Sequence, residues 1–437
     1  MKKNFFTGIL TGLLSALLLV VVLGAALIYS DKNYNITEKT EAKEDSTSQE
    51  KVTKDKVTTD KEEITVSSLD LENYQEIVKK LEIMDQMIDQ IYLEDVKGVD
   101  FADGIYKGFL ASLGDPYSTY YTAEEYKALQ ESSSGVYFGI GASVSQDAKT
   151  GIITVVKPFV TGPAYKAGIK PGDIIAKVNG EEVTGMDLSA VVSKMKGKAG
   201  TTVKIGIVRE GENEQLEFTV TRKKIEVPTI EYQMLSGKIG YIIMTEFDEI
   251  TVTQFDAAVD ELEKQKMKAL IVDVRNNPGG RLDSVVSILD RVLPPGLLVY
   301  TEDKYNRREE QSAKDKTKIS VPMAVLINGN SASASEIFAG TLQDYKTATI
   351  VGTKSFGKGI VQTVIPYSDE LGRPDGSAVK LTISKYYTPK GRNIHGTGIK
   401  PDVEVELDDA LQKEVIIPIE KDNQLQKAIS ILKKKIG

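Results

Sequence analysis

The amino-acid sequence predicts a multi-domain protein of the α/β (α+β) class, with a βα layered core, an inserted β-rich module, an N-terminal helical element and a transmembrane helix. From about residue 225 onward, apolar strand patterns alternate with helical patterns, which is typical of a layered βα core. Residues 132–222 show short strand patterns separated by turn residues. The chain has 437 residues, which is more than one hydrophobic core usually organises, so several domains are expected.

The transmembrane helix is predicted from residues 5–29, an almost unbroken apolar run without a charged side chain. About 20 apolar residues span the hydrocarbon core of a bilayer, so residues 1–30 are interpreted as a cytoplasmic N-terminus and a membrane anchor. Lys2 and Lys3 precede the run and Asp31 follows it, which predicts that the remainder is extracytoplasmic. A cleaved signal peptide is the alternative, although its apolar core usually has about 7–15 residues. Either way, the bulk of the chain is expected to be exported.

Changes in composition predict the other boundaries. A stretch rich in Lys, Glu, Thr, Asp and Ser has too few apolar residues to fold, which predicts a disordered linker. The next stretch carries apolar residues at helical spacing until Gly114-Asp115-Pro116 breaks the pattern. The predicted segments are a linker (31–67), an N-terminal helical region (68–130), a β-rich module (131–222), a core (223–405) and a C-terminal helical region (406–437). The amphipathic tail over 425–436 is interpreted as a packed helix or as a homodimer surface.

Composition excludes several classes of function. The net charge is −8 with both signs interspersed, which argues against nucleic acid as a partner. The chain has no cysteine, so it has neither a disulfide framework nor a thiol nucleophile. Its one histidine is His395, which excludes a zinc site with two histidines and makes any Ser-His-Asp triad depend on that residue. We expect no metal and no organic cofactor.

Two segments have the pattern of a catalytic loop. Apolar residues 270–274 run into the turn sequence Asn-Asn-Pro-Gly-Gly at 276–280, and adjacent glycines allow an N–H to point outward, as a developing oxyanion requires. Residues 330–337 contain three serines between an apolar strand pattern and a helix pattern. A hydroxyl at a helix N-terminus lies beside unpaired N–H groups, which suits a nucleophile. The alternatives are an ordinary turn and an ordinary serine N-cap.

A third segment, residues 352–362, nearly matches the P-loop pattern. Gly359 replaces the Ser or Thr that binds Mg²⁺, and the following residues alternate like a strand, so nucleotide binding is not expected. Lys358 lies between two glycines. Burial would lower the pKa of its amine, and the neutral amine could then accept a proton from a serine. Asp273 and Glu336 are further candidates for acid–base partners, but Asp273 lies in an apolar strand and is expected to be a paired structural carboxylate.

Residues 163–180 resemble the PDZ family. The resemblance implies that the upstream residues Phe138, Gly139, Ile140 and Gly141 form a carboxylate-binding loop, whose converging N–H groups hold a free peptide C-terminus. A bound peptide would pair with the 140–144 edge. A helix over 187–195, with Asp187 as its N-cap, would supply the pocket for the terminal side chain.

The three segments, arranged around a PDZ insert, resemble the C-terminal processing peptidases, also called tail-specific proteases. The resemblance covers about residues 70–405, including the run Leu-Gly-Asp-Pro-Tyr-Ser-Thr-Tyr at 113–120, the Thr-Pro-Lys-Gly-Arg run at 388–392 and the Gly-Ile-Lys-Pro-Asp run at 398–402. It implies a ClpP/crotonase-like serine peptidase core and a PDZ domain that gates it. By position, it implies Ser333 as nucleophile, Lys358 as base, Gln362 as the residue that orients the lysine, and the N–H groups of Gly280 and Ala334 as oxyanion donors.

The implied partners are protein or peptide substrates with free C-termini. Two other hypotheses remain. If the protein is a non-catalytic PDZ adaptor on the membrane, Ser333→Ala should have no effect on any cleavage. A chymotrypsin-like PDZ protease would need His395, whereas the resemblance implies a structural or surface role for this residue.

Overall fold

The computed structural model describes residues 71–96, 99–314, 319–367, 374–412 and 417–437. The predicted membrane anchor and linker therefore lie outside the described residues. Within these ranges, the helices are too short or too polar to cross a bilayer. The chain divides into two compact units, one ending at Asp95 and the other beginning at Val96.

The first unit contributes helix α1, Leu71–Ile91. Its apolar residues recur at helical spacing, and several of them, including Ile77, Met84 and Met87, are exposed. The second unit begins with α2 (Phe101–Ala111), strand β1 (Thr119–Tyr121) and α3 (Ala123–Ser134). The N-terminal helical region is thus confirmed, and its pattern is interrupted around residues 114–116 as predicted.

Capping explains where these helices begin. The Asp100 side chain accepts from the Ala102 and Asp103 N–H groups at the start of α2, and Thr122 and Glu125 form a reciprocal capping box at the start of α3. Helix α3 ends at Gly135, which has a φ of 68°, the left-handed conformation that glycine adopts without strain.

The β-rich module contains a six-stranded antiparallel sheet. Five strands follow the order β3-β4-β5-β7-β8, and the sixth, β6, pairs with β5. Its buried side chains form their own core, which includes Ile153, Val178 and Ile205. A separate antiparallel ribbon of β2 and β9 joins the two connections that enter and leave the module. Its elements are β2 (Val136–Gly139), β3 (Ala142–Gln146), β4 (Ile153–Pro158), α4 (Pro163–Ala167), β5 (Ile174–Val178), β6 (Glu181–Glu182), α5 (Leu188–Met195), β7 (Thr202–Val208), β8 (Leu216–Thr221) and β9 (Lys223–Glu226). Asp187 caps α5, as predicted.

The core contains a six-stranded sheet with the order β10-β11-β12-β15-β16-β19, in which β19 is Val403–Glu404. All its pairs are parallel except β10 with β11. Strands β12 and β15 are buried along their whole length, as expected of central parallel strands covered on both faces. The elements are β10 (Ile230–Leu235), β11 (Ile239–Met244), α6 (Glu249–Lys264), β12 (Ala269–Asp273), α7 (Leu282–Val292), β13 (Gly296–Asp303), β14 (Arg308–Ala313), β15 (Met323–Ile327), α8 (Ala334–Asp344) and β16 (Ala348–Gly352).

A second sheet flanks this core, with the path β1-β18-β13-β14 and with β17 paired to β18. Strand β1, from the N-terminal side of the β-rich module, pairs with β18 across some 260 residues of sequence, as Thr119 opposite Lys380 shows. The remaining elements are β17 (Ile360–Pro366), β18 (Ala378–Tyr387), β19 (Val403–Glu404), a 3₁₀ turn (Asp409–Leu411) and α9 (Asn423–Ile436). The sequence-predicted α/β class and multi-domain organisation are confirmed.

The C-terminal helix α9 packs on the parallel sheet through buried residues that include Leu425, Ala428 and Leu432. Its amphipathic face is therefore covered by the core. A buried ionic cluster holds its start, because Arg275 donates to both Asp273 and Asp422. Tyr241 also donates to Asp273, at 2.7 Å. Asp273 is thus a paired structural carboxylate, as its position in an apolar strand predicted.

Candidate active site

Ser333 lies at the N-cap position of α8, immediately after the loop that follows β15. Its backbone has φ 54° and ψ −115°, a conformation that is costly for a residue other than glycine. Such outliers persist only where the surroundings enforce them, and they concentrate at functional sites. The side chain is half-buried and lines a large cleft.

The glycine turn at 279–280 packs directly against this serine. Gly279 has a φ of 104°, and a Cβ there would lie 2.7 Å from the Ala332 carbonyl oxygen and 2.8 Å from Ser333 Cβ. Only glycine permits this approach. Gly280 is exposed in the cleft. In the hydrogen-bond network of the described residues, the N–H groups of Gly280 and Ala334 have no acceptor, so both are free to bind an oxyanion.

A buried carboxylate fixes the serine loop to the lysine loop. Glu336, fully buried in the first turn of α8, accepts the N–H of Ser333 at 2.9 Å and the N–H of Lys358 at 2.8 Å. Its other oxygen accepts the Gly357 N–H at 2.7 Å and the Ser355 hydroxyl at 2.5 Å. Four donors thus converge on one carboxylate, and two of them belong to the backbones of the predicted nucleophile and base.

A second buried group joins the same two loops. The hydroxyl of Tyr386, a buried residue of β18, lies 2.6 Å from the Lys358 carbonyl oxygen and 3.1 Å from the Ser333 carbonyl oxygen. Burial raises the pKa of this phenol well above its usual value, and the charge of Glu336 adds to the effect. Tyr386 is therefore neutral and donates to the Lys358 carbonyl.

Lys358 is half-buried and lines the cleft. Burial lowers the pKa of its amine, the charge of Lys380 lowers it further, and Asp115 acts in the opposite direction. The amine lies 4.7 Å from the centroid of the Tyr117 ring. The hydrogen bonds of the described chain do not include one between this amine and the Ser333 hydroxyl, so the predicted dyad is in the same cleft but unbonded.

Gln362 also lines the cleft. Its side-chain amide donates to the Thr382 hydroxyl at 3.2 Å, and the described contacts contain no hydrogen bond from it to Lys358. Strand β17 begins only at Ile360, and its pairing with β18 shifts register between Val361 and Gln362. Alternation along a strand therefore does not extend from 358 to 362, and the orienting role of Gln362 stays a prediction.

The cleft brings five of the sequence-predicted residues together. It has a volume of about 1010 Å³ and is lined by Ser333, Ala334, Gly280, Lys358 and Gln362, with the β17–β18 hairpin as one wall. His395 is exposed and is not among the lining residues. Across the described ranges, the His, Asp and Glu side chains form no cluster of three that could hold a metal ion.

Comparison with known proteins identifies the family. Three family models match: Peptidase family S41 over residues 238–405, PDZ domain over 128–208, and the N-terminal domain of the activating protease CtpB over 21–125. The carboxy-terminal-processing protease of Bartonella bacilliformis is 37% identical over 355 residues, which cover 78% of this chain and 79% of that protein. Carboxy-terminal processing protease CtpA of Bacillus subtilis is 38% identical over 325 residues, 74% and 68% of the two chains.

The chain belongs to peptidase family S41. A solved structure of a putative S41 protease from Bacteroides fragilis is 18% identical and covers 81% of this chain and 97% of that chain at a TM-score of 0.51, so the two share a fold. The S41 peptidase is a C-terminal processing serine protease with a PDZ domain, and this domain implies peptide substrates. The resemblance drawn from the sequence motifs is confirmed.

The PDZ domain of the S41 peptidase has a groove of about 300 Å³ between β3 and α5. Of the four residues predicted for the carboxylate-binding loop, Ile140 lines this groove, and Gly141 turns the chain with a φ of 74°. Phe138 and Gly139 lie in β2, paired with β9. Strand β3 begins at Ala142, so the edge available to a peptide starts two residues later than predicted.

Sequence reasoning missed three residues of the peptidase site. Glu336 was considered only as an acid–base partner, yet its carboxylate binds backbone N–H groups. Tyr386 and Tyr117 were not singled out at all. The signal for Glu336 was its spacing, since an acidic residue three positions after an N-cap serine is a capping-box pattern. Tyr117 stood within the run at 113–120 without a role, and no local pattern marks Tyr386, because each tyrosine contacts the site across a sheet pairing.

Proposed function

We propose that this S41 peptidase hydrolyses peptide bonds through a Ser333–Lys358 dyad, with the N–H groups of Gly280 and Ala334 as the oxyanion hole. One observation carries the proposal: a serine with strained backbone, two N–H groups without acceptors and an amine of lowered pKa line a single cleft. Each of these features is of the kind that acyl transfer requires.

In the acylation step, the neutral Lys358 amine removes the Ser333 proton while the Ser333 oxygen bonds to the scissile carbonyl carbon. The carbonyl oxygen becomes negative and accepts hydrogen bonds from the Gly280 and Ala334 N–H groups. The intermediate collapses as the C–N bond breaks, and the lysine ammonium gives its proton to the leaving amine.

In the deacylation step, a water molecule loses a proton to neutral Lys358 and attacks the acyl-enzyme ester. The C–O bond to Ser333 then breaks, and the proton returns to the serine oxygen. Lys358 acts once as base and once as acid in each half-reaction. The protons therefore balance in both steps without any other group. The amine must reach the serine hydroxyl for both steps, and its four-carbon stem can rotate without a change in the loop backbone.

We also propose that the PDZ groove captures the free C-terminus of an unfolded protein segment and that this domain gates the cleft. The paired connections β2 and β9 are the natural hinge, because a short ribbon links the PDZ domain to the rest of the chain. The groove lining supports an apolar terminal residue, since it includes Ile140, Val144 and Val192.

We propose further that the peptidase is anchored by residues 5–29 in the cell membrane, with its catalytic part on the extracytoplasmic side. The apolar run and the lysines before it support this orientation. Protease added to intact cells should remove the catalytic part and spare the N-terminus. If an epitope at the C-terminus is cut only after the cells are lysed, the orientation is wrong.

The experiment that tests the dyad uses the full-length chain and a peptide with an apolar C-terminus. Ser333→Ala and Lys358→Ala should each abolish cleavage, whereas His395→Ala is the matched control because His395 is exposed outside the cleft. Equal cleavage by wild type and Ser333→Ala would favour the adaptor hypothesis. Loss of cleavage with His395→Ala alone would favour a histidine triad.

A further inference from the structure

The segment before the PDZ domain supplies a side chain to the predicted base. The ring centroid of Tyr117 lies 4.7 Å from the Lys358 amine. Asp115 holds the tyrosine in place, because its carboxylate accepts the Tyr117 N–H at 3.0 Å and the Ser118 hydroxyl at 2.6 Å. Ser118 in turn accepts the Thr382 N–H at 3.0 Å. This turn is therefore anchored to the sheet that forms the cleft wall.

The pairing of β1 with β18 adds to this anchoring. Thr119 lies opposite Lys380 and Tyr121 opposite Ala378, directly after the tyrosine. Tyr117 itself is half-buried. Its ring is therefore held at the amine by strand pairing and by a carboxylate-centred turn, and does not depend on a mobile surface loop.

An aromatic ring face attracts a cation and is indifferent to a neutral amine. Lys358 becomes an ammonium when it takes the Ser333 proton, inside a partly dry cleft where water solvates it poorly. Burial and the charge of Lys380 favour the neutral amine, while Asp115 favours the ammonium. Tyr117 is a second group that favours the ammonium, because its ring centroid lies 4.7 Å from the nitrogen.

We propose that Tyr117 is a positioning residue for the general base: its ring receives the ammonium of Lys358 and so sets the pH range in which the lysine can act. The inference rests on the proposed role of Lys358. It assigns a catalytic purpose to the Asp-Pro-Tyr-Ser turn at 115–118 of the N-terminal region, which lies outside both the PDZ domain and the S41 family match.

The test measures kcat/KM against pH for the full-length chain, because the lower limb of this profile reports the base of the free enzyme. Tyr117→Leu keeps an apolar side chain over the amine but removes the ring. We expect the midpoint of the lower limb to fall by about one pH unit. Tyr117→Phe retains the ring face and should stay within about 0.3 unit of wild type.

Tyr305→Leu is the matched control, because Tyr305 is exposed and its ring contacts Lys304 and Arg307. It should leave the profile unchanged. An unshifted midpoint in Tyr117→Leu, or equal shifts in Tyr117→Leu and Tyr117→Phe, would overturn the inference. Thermal melting checks that each variant is folded. If Tyr117→Leu unfolds, Tyr117→Phe still tests the inference, because a shift in the midpoint of the Tyr117→Phe pH profile would contradict it.

Failure of the proposed function gives a different result. If Lys358→Ala retains activity, the lysine is not the base and the dyad itself is wrong. If Lys358→Ala is inactive while the Tyr117→Leu profile matches wild type, the dyad stands and only the role of Tyr117 is lost.

Discussion

Glu336→Gln is the sharpest single test of how the site is assembled. The change keeps the size of the side chain but replaces one carboxylate oxygen by an NH₂ group. Each oxygen of Glu336 accepts two hydrogen bonds. If the NH₂ group replaces the oxygen bound to Ser333 and Lys358, two backbone N–H groups face a donor. If it replaces the other oxygen, the Gly357 N–H faces a donor, while the Ser355 hydroxyl can rotate and accept. Either orientation disturbs the loop of Lys358.

The magnitude follows from these contacts. A hydrogen bond to a charged group contributes about 1.5–3 kcal/mol, so losing one or two of them costs about 1.5–6 kcal/mol. Removing a buried charge offsets part of this loss. We expect a net loss of about 2 kcal/mol in the free energy of unfolding. Because displacing a catalytic group by about 1 Å can cost a factor of about 100, kcat should fall by about two orders of magnitude.

The assay is kcat and KM for a tailed peptide, with urea denaturation of the same samples. Glu309→Gln is the matched control, since this residue of β14 is exposed and the charge change is the same. The KM of Glu336→Gln should stay close to that of wild type, because the PDZ groove is untouched. Wild-type kcat and stability in Glu336→Gln would refute the reasoning that this carboxylate aligns the two loops.

Three further predictions concern the surroundings of the site. Gly279→Ala should reduce kcat by more than 100-fold, because the new Cβ would meet the Ala332 carbonyl oxygen at 2.7 Å; near-normal turnover in a steady-state assay would contradict this. Arg275→Met should lower the free energy of unfolding by about 3–5 kcal/mol, since it leaves two buried aspartates unpaired; an unchanged urea midpoint would contradict this. Burial and Glu246 raise the pKa of Asp248 to about 7, so the contribution of Asp248 to stability should fall between pH 4 and 7, where the unfolded chain releases this proton and the folded protein keeps it. Asp248→Asn should therefore be more stable than wild type at pH 8 and not at pH 4, as urea midpoints at the two pH values will show.

The sequence predicted those parts of the molecule that depend on local patterns. Strands β12 and β15 were visible as uninterrupted apolar runs, and Asp187 was recognised as the cap of α5. The packed C-terminal helix followed from its amphipathic spacing. In each case the residues that determine the helix or strand lie close together in the sequence, where hydrophobic periodicity and capping act.

The contacts that align the site depend on distant pairings. Tyr117 and Lys358 are separated by more than 200 residues, and they meet because β1 pairs with β18. Tyr386 reaches both loops from the same strand. Strand register is not encoded by any local motif. The sequence could therefore indicate the nucleophile and the base without indicating the tyrosines that contact them. The register shift before Gln362 is likewise a property of the paired strands.

The two halves of the proposed dyad are held in different ways. The Ser333 backbone, the Gly280 turn and the Lys358 backbone are fixed by buried groups, whereas the described residues hold the Lys358 amine through a flexible stem and a ring contact. In the proposed mechanism the oxyanion hole is therefore formed before substrate arrives, and the proton acceptor is the part that moves. Since rotation of one side chain is far faster than rearrangement of a loop, chemistry need not wait for the core to change shape. In the same proposal, the slower motion is that of the PDZ domain about the β2–β9 ribbon.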